Sequence, residues 1–170
     1  MGLLRYRSPS GESRPWTLKE IIQGKPIGRP THPMLVMFPI AFYIGALLMD
    51  LLSRASFPGG PRAGTYAVIG AVAVAIPAII TGLTDRSFMR QGSRIRQVAT
   101  RHMIFQLTAT AIFVLNLAVR YSDRNIDKAK LLWIVLDVLG TLVVIIGGDV
   151  GGQMVFKMGV RVAGEEQGSP

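Results

Sequence analysis

Two histidines, a few carboxylates and one arginine sit inside stretches that are otherwise apolar. His32 opens a run to Arg54 in which about 20 mostly apolar residues could cross a bilayer core as a helix. Within it, His32, Val36, Pro39, Tyr43, Ala46 and Asp50 recur at alternating steps of four and three, which places them on one helical face. His102, Gln106, Ala109, Phe113, Asn116 and Arg120 make a second such face. A third joins Asp137, Thr141, Val144, Gly148 and Gly151, with Asp149 beside it. A membrane helix that gathers ionisable groups on one stripe turns that stripe to protein, because an unpaired charge in lipid is costly.

These residues point to four kinds of chemistry. His32 and His102 on facing helices are candidate axial ligands for a b-type haem, with Arg94, Arg96 and Arg101 available for its propionates. A His/Asp layer of His32, Asp85, His102 and Asp149, joined by Gln106, suits a quinone carbonyl and its proton. The same two imidazoles and two carboxylates suit a divalent metal such as zinc or iron. Asp50, Arg120 and Asp137 read instead as a structural ion-pair layer between helices.

The positioning elements follow from hydropathy. Four apolar spans are expected, at 33–52, 65–84, 102–121 and 131–148. The second carries Ala67, Ala71, Ala75, Ala78 and Gly82 on one stripe, the mark of close helix contact in lipid, with Pro77 expected to bend it. Alternating spans bring His32, Asp85, His102 and Asp149 to one depth at one end, and Tyr43, Asp50, Asn116, Arg120 and Asp137 to the other half. The N-terminal arm, the second connection and the tail carry more than twice the Lys and Arg of the opposite side. That asymmetry puts both termini in the cytoplasm.

Before the first span, Thr17 and Glu20 have capping-box spacing ahead of Leu18, Ile21 and Ile22, and Gly24 is a stop. This is a short amphipathic helix for the membrane surface, preceded by a polar arm. The glycine-rich segment from Gly147 predicts a helix break near Gly151 and then an extended or turn segment. The expected organisation is an all-α integral membrane four-helix bundle: 1–31 arm and surface helix, 32–150 spans, 151–170 cytoplasmic tail.

Composition narrows the function. The formal charge is +9, yet the cations flank hydrophobic spans, so lipid headgroups and topology account for them and nucleic acid does not. There is no cysteine, which rules out disulfides, thiolate iron–sulfur ligation and C-x-x-C-H haem attachment. The eight methionines lack the paired spacing of a copper relay. No catalytic triad order or phosphate-cradling loop is present, and one four-helix chain without inverted repeats is thin for a transporter. Two functional classes stand: a redox-associated subunit holding haem b or quinone, and a non-catalytic accessory or scaffold subunit of a respiratory or photosynthetic complex. Partners are the lipid bilayer and, in either class, other membrane subunits or further copies of the chain.

The segment Q-G-K-P-I-G-R-P-T-H-P-M-L-V-M-F-P-I-A with Asp50 downstream, T-G-L-T-D ending at Asp85, His102 and G-G-Q-M-V-F-K-M-G-V-R-V together resemble a family of four-helix bacterial membrane proteins of unknown function. The resemblance covers roughly Gly24 to Val162. It implies the four-helix fold, and the fusion of some relatives to Rieske-type iron–sulfur domains implies electron transfer near quinone or haem. Where relatives often carry further histidines this chain has Arg29, Met37 and Met158, leaving His32 and His102.

Overall fold

The computed structural model describes residues 5–7, 11, 13–123 and 126–160. A two-stranded antiparallel hairpin, β1 (Arg5–Arg7) and β2 (Ser13–Pro15), pairs Tyr6 with Arg14 where a polar, flexible arm was expected. The short helix α1 (Leu18–Ile22) follows with the Thr17/Glu20 capping box formed in both directions. Arg14 grips the same Glu20 with two bonds of 2.8 Å, so the arm folds back onto the helix it precedes. Gly24 ends the helix at φ +77, and a Cβ there would strike the Arg29 carbonyl, so only glycine fits this turn.

Four long helices form the body: α2 (Thr31–Arg54), α3 (Gly60–Ser87), α4 (Arg94–Arg120) and α5 (Leu131–Phe156). Each is long and apolar enough to cross a membrane. They are inside-out relative to a water-soluble bundle. Large apolar side chains such as Phe38, Leu48, Ile76, Ile80, Leu115 and Ile145 face outward, while the centre is built from Ala46, Val68, Ala71, Ala109 and Phe113. With lipid outside, association comes from close packing rather than apolar burial, and small residues permit it. The expected α3 stripe does this: Ala71, Ala75 and Ala78 are buried. Pro39 and Pro77 lie inside continuous helices.

The helix ends differ from expectation, most of all in α5. It runs through Gly151 and Gly152 to Phe156 rather than breaking near Gly151. Two glycines that read as breakers are packing positions: a Cβ on Gly147 would meet Gln106 Nε2 at 2.6 Å and one on Gly151 would meet His102 Cε1 at 2.8 Å. Keeping the backbone helical there also keeps its amides bonded where water is scarce. The helical body thus continues past residue 150; residues 157–160 form a turn, and 161–170, the rest of the expected tail, lie outside the described residues. At α4, Ser93 caps Arg96 N and starts the helix eight residues before His102.

The helices pack as two antiparallel hairpins, α2/α3 and α4/α5, joined so that α2 and α4 oppose each other on the bundle diagonal. Residues 70 positions apart meet on that diagonal. Tyr43 stacks on Phe113 with ring centres 3.8 Å apart, Asp50 bonds Arg120, and His32 faces His102. The hairpins are therefore related by an internal two-fold pattern running along the bundle.

Candidate functional site

At the end of the bundle nearest α1, each histidine is fixed by the partner helix of its own hairpin. His32 Nδ1 lies 2.9 Å from the Ala78 carbonyl and 3.3 Å from Thr81 Oγ1; the Thr81 hydroxyl donates onward to the Pro77 and Ala78 carbonyls. His102 Nδ1 lies 2.7 Å from the Gly147 carbonyl. A carbonyl oxygen only accepts, so Nδ1 is the protonated nitrogen in both rings, and in the neutral tautomer Nε2 carries the lone pair. The seats match as well. Four residues beyond the accepting carbonyl comes a glycine, Gly82 or Gly151, where a Cβ would come within 2.8 Å of the ring.

The two ring centres are 6.4 Å apart with planes at 85°. Two imidazoles bound to one metal ion, each with a metal–nitrogen bond of about 2 Å and about 1 Å more to the ring centre, would have centres about 6 Å apart. The donor set and spacing therefore fit a bis-imidazole metal. They do not extend to the expected four-ligand metal site, since no three His, Asp or Glu residues come together among the described residues.

The rings border a cleft of about 310 Å³ whose walls are largely apolar. It reaches from Asp85, Arg86 and Met89 past both histidines and Gln106 to Thr110 and Tyr43. From His32 to Tyr43 is eleven residues of helix, or about 16 Å. Asp85 accepts from Gln23 Nε2 at 3.0 Å, which ties the segment after α1 to the rim of the cleft. Asp149, expected in the same layer, is exposed and bonded to Gln153 at 3.0 Å, outside the cleft lining.

The cations are redistributed too. Arg96 donates to the Arg86 and Met89 carbonyls and so caps α3, and neither Arg94 nor Arg101 lines the cleft. Arg86, held by Thr100 at 3.0 Å, does. Periodicity did not single out Arg86, nor the carbonyls of Ala78 and Gly147. The spacing of each glycine at the end of a span was the available signal.

At the far end of the bundle, Arg120 is wholly buried. It donates to Asp50 at 3.1 and 2.6 Å, to Asp137 at 2.8 Å and to Asn116 at 2.6 Å, with its guanidinium 4.8 Å from the Trp133 ring centre. Asn116 completes the group by donating to Asp137 at 2.6 Å. Asp50 and Asp137 are buried to the same degree. From His32 to Asp50, and from His102 to Arg120, is 18 residues, five whole turns. The cluster therefore sets which face of α2 and α4 points inward at the histidine end.

No curated protein and no solved structure matches the chain. A family model does, over residues 28–164, from the turn after α1 to beyond the end of α5. With four helices able to span a bilayer and that match, the chain belongs to the family described as predicted membrane protein (DUF2231).

Proposed function

We propose that His32 and His102 are the axial ligands of a b-type haem, and that the protein is an electron-transfer subunit of a membrane complex. The carrying observation is the paired Nδ1–carbonyl bond. Metal-binding histidines characteristically donate their second nitrogen to a carbonyl or carboxylate, which fixes the orientation of the ring. Arg86 at the cleft is the cation for the carboxylates of such a ligand. Bound haem would supply one-electron chemistry; the chain would supply the two imidazoles, their orientation and an apolar wall. The excess of cations at the histidine end supports a cytoplasmic place for that end, in a bacterial inner membrane.

The test is an oxidised and dithionite-reduced absorption spectrum of the protein purified from haem-supplemented cells, beside His32→Ala and His102→Ala. A sharp reduced α-band lost in either variant is expected. A colourless, fully helical preparation overturns the assignment.

A second reading, a quinone site, is favoured by the cleft itself. Its volume is at the small end for ligand sites, and it accepts a single ring with the start of an apolar tail as it stands, whereas a macrocycle would need its edge in the opening. Solvent extraction of the colourless preparation, with detection of a stoichiometric quinone missing from His102→Ala, supports this reading over haem.

A further inference from the structure

We propose that a second site, a groove between α4 and α5 separate from the histidine cleft, binds the headgroup of an anionic phospholipid. The groove encloses about 360 Å³ and is lined by Arg94, Ile95, Gln153, Lys157 and Met158. Arg94 is the first residue of α4 and Lys157 follows the last residue of α5, so two antiparallel helices bring both cations to one end of the bundle. Both side chains are exposed, and among the described residues the ion pairs are formed by other cations: Arg14, Lys25, Arg120 and Lys130. Among the described residues the groove lining holds two cations and no acid, and Asp149 accepts the amide of the lining residue Gln153.

Position and shape select the occupant. Both cations lie where apolar helices end, at the depth of lipid headgroups, and Phe156 beside Lys157 is 89% exposed where an aromatic ring meets the bilayer interface. Ile95 and Met158 add apolar surface beside the two charges, matching a lipid headgroup with glycerol and acyl chains attached. Basic pockets between transmembrane helices hold anionic headgroups in this way. A zwitterionic lipid would bring its own ammonium against Arg94 and Lys157, so the groove selects for net negative charge.

The experiment is native mass spectrometry of the delipidated full chain, titrated with phosphatidylglycerol or phosphatidylcholine, for the wild type, Arg94→Gln/Lys157→Gln and Arg90→Gln/Arg101→Gln. Each lost cation weakens headgroup binding by roughly fivefold, so the groove variant should lose about 25-fold for phosphatidylglycerol. Arg90 and Arg101 are exposed at the same end but outside the groove, and that variant should lose less than threefold. All exchanged residues are exposed, and circular dichroism verifies that each variant keeps its helices. Equal binding of the two lipids, or equal losses in the two variants, overturns the site. Competition by millimolar inorganic phosphate as effective as that by lipid also overturns it, in favour of a soluble anion.

Discussion

Replacing Arg120 with Met tests whether the far-end cluster is dry and whether it governs the histidine end. Met keeps an unbranched apolar stem but removes a guanidinium that is 0% exposed and donates four hydrogen bonds. Asp50 and Asp137, also 0% exposed, would then share a buried space with no cation. Breaking a buried ion pair by removing one partner costs about 3–5 kcal/mol, chiefly for the charge left behind. Against a typical total stability of about 5–15 kcal/mol, that is a large fraction. Reversible unfolding in mixed micelles of dodecyl sulfate and a mild detergent, followed by circular dichroism, reads it directly. The neutral triple variant Asp50→Asn/Arg120→Met/Asp137→Asn should recover most of the loss, because no charge is then stranded. Five turns away, about 27 Å, the single variant should also weaken the haem proposed for His32 and His102 as α2 and α4 lose their rotational register. A loss below about 1 kcal/mol, the value of an exposed pair, would show that water reaches the cluster and refute the reasoning.

Further expectations concern the seats, the loops and the arm. Gly151→Ala gains up to about 1 kcal/mol of helix propensity but drives a methyl against His102 and so sacrifices its bond to Gly147, worth about 1 kcal/mol. Its stability should be near wild type while ligand binding is lost; Gly148→Ala, which meets nothing within 4 Å, should keep both, and the spectra used for the histidine variants distinguish them. Ser53→Ala leaves the buried Ala129 amide without its 2.9 Å acceptor and should cost about 1–3 kcal/mol in the same micelle unfolding. Arg14, aided by the Thr17 amide, holds the Glu20 carboxyl well below the usual carboxylate range. A depressed folded value means that the contribution of ionised Glu20 is complete above its unfolded value of about 4.3 and fades as pH falls below it. Amide exchange at Thr17 and Glu20 should therefore be protected equally at pH 7 and 5 and less so toward pH 3, with Glu20→Gln abolishing that pH dependence.

The fold was legible because lipid imposes a simple rule: long apolar spans must be helices, and their polar residues must face one another. The faces carrying His32 through Asp50 and His102 through Arg120 follow from spacing alone, and so does their meeting across the bundle. What spacing could not distinguish was a glycine that ends a helix from one that seats a neighbour's ring. Gly24 and Gly151 read alike in the sequence; the first has φ +77 and stops α1, while the second lies within α5 under His102. Nor could the layer argument place Asp149. Depth puts it level with the histidines, but its azimuth around α5 turns it outward. The hairpin of β1 and β2 is tied to α1 by Arg14 reaching Glu20, a contact between residues with no shared periodicity.

The two-fold pattern bears most directly on function. Residues on the diagonal meet their own counterparts, and identical counterparts are mostly poor partners. Two aspartates would repel, and the pair is Asp50 with Arg120; at the middle level Tyr43 meets Phe113, which stack at 12°. Each of these pairs is complementary in itself and complete without a ligand. The histidine level sets identical residues against each other, His32 and His102, each with Nδ1 directed to a carbonyl of its own hairpin. The proposed haem would draw on both imidazoles at once, and a matched pair of seats beside an apolar cleft favours that reading over a ligand held by one ring.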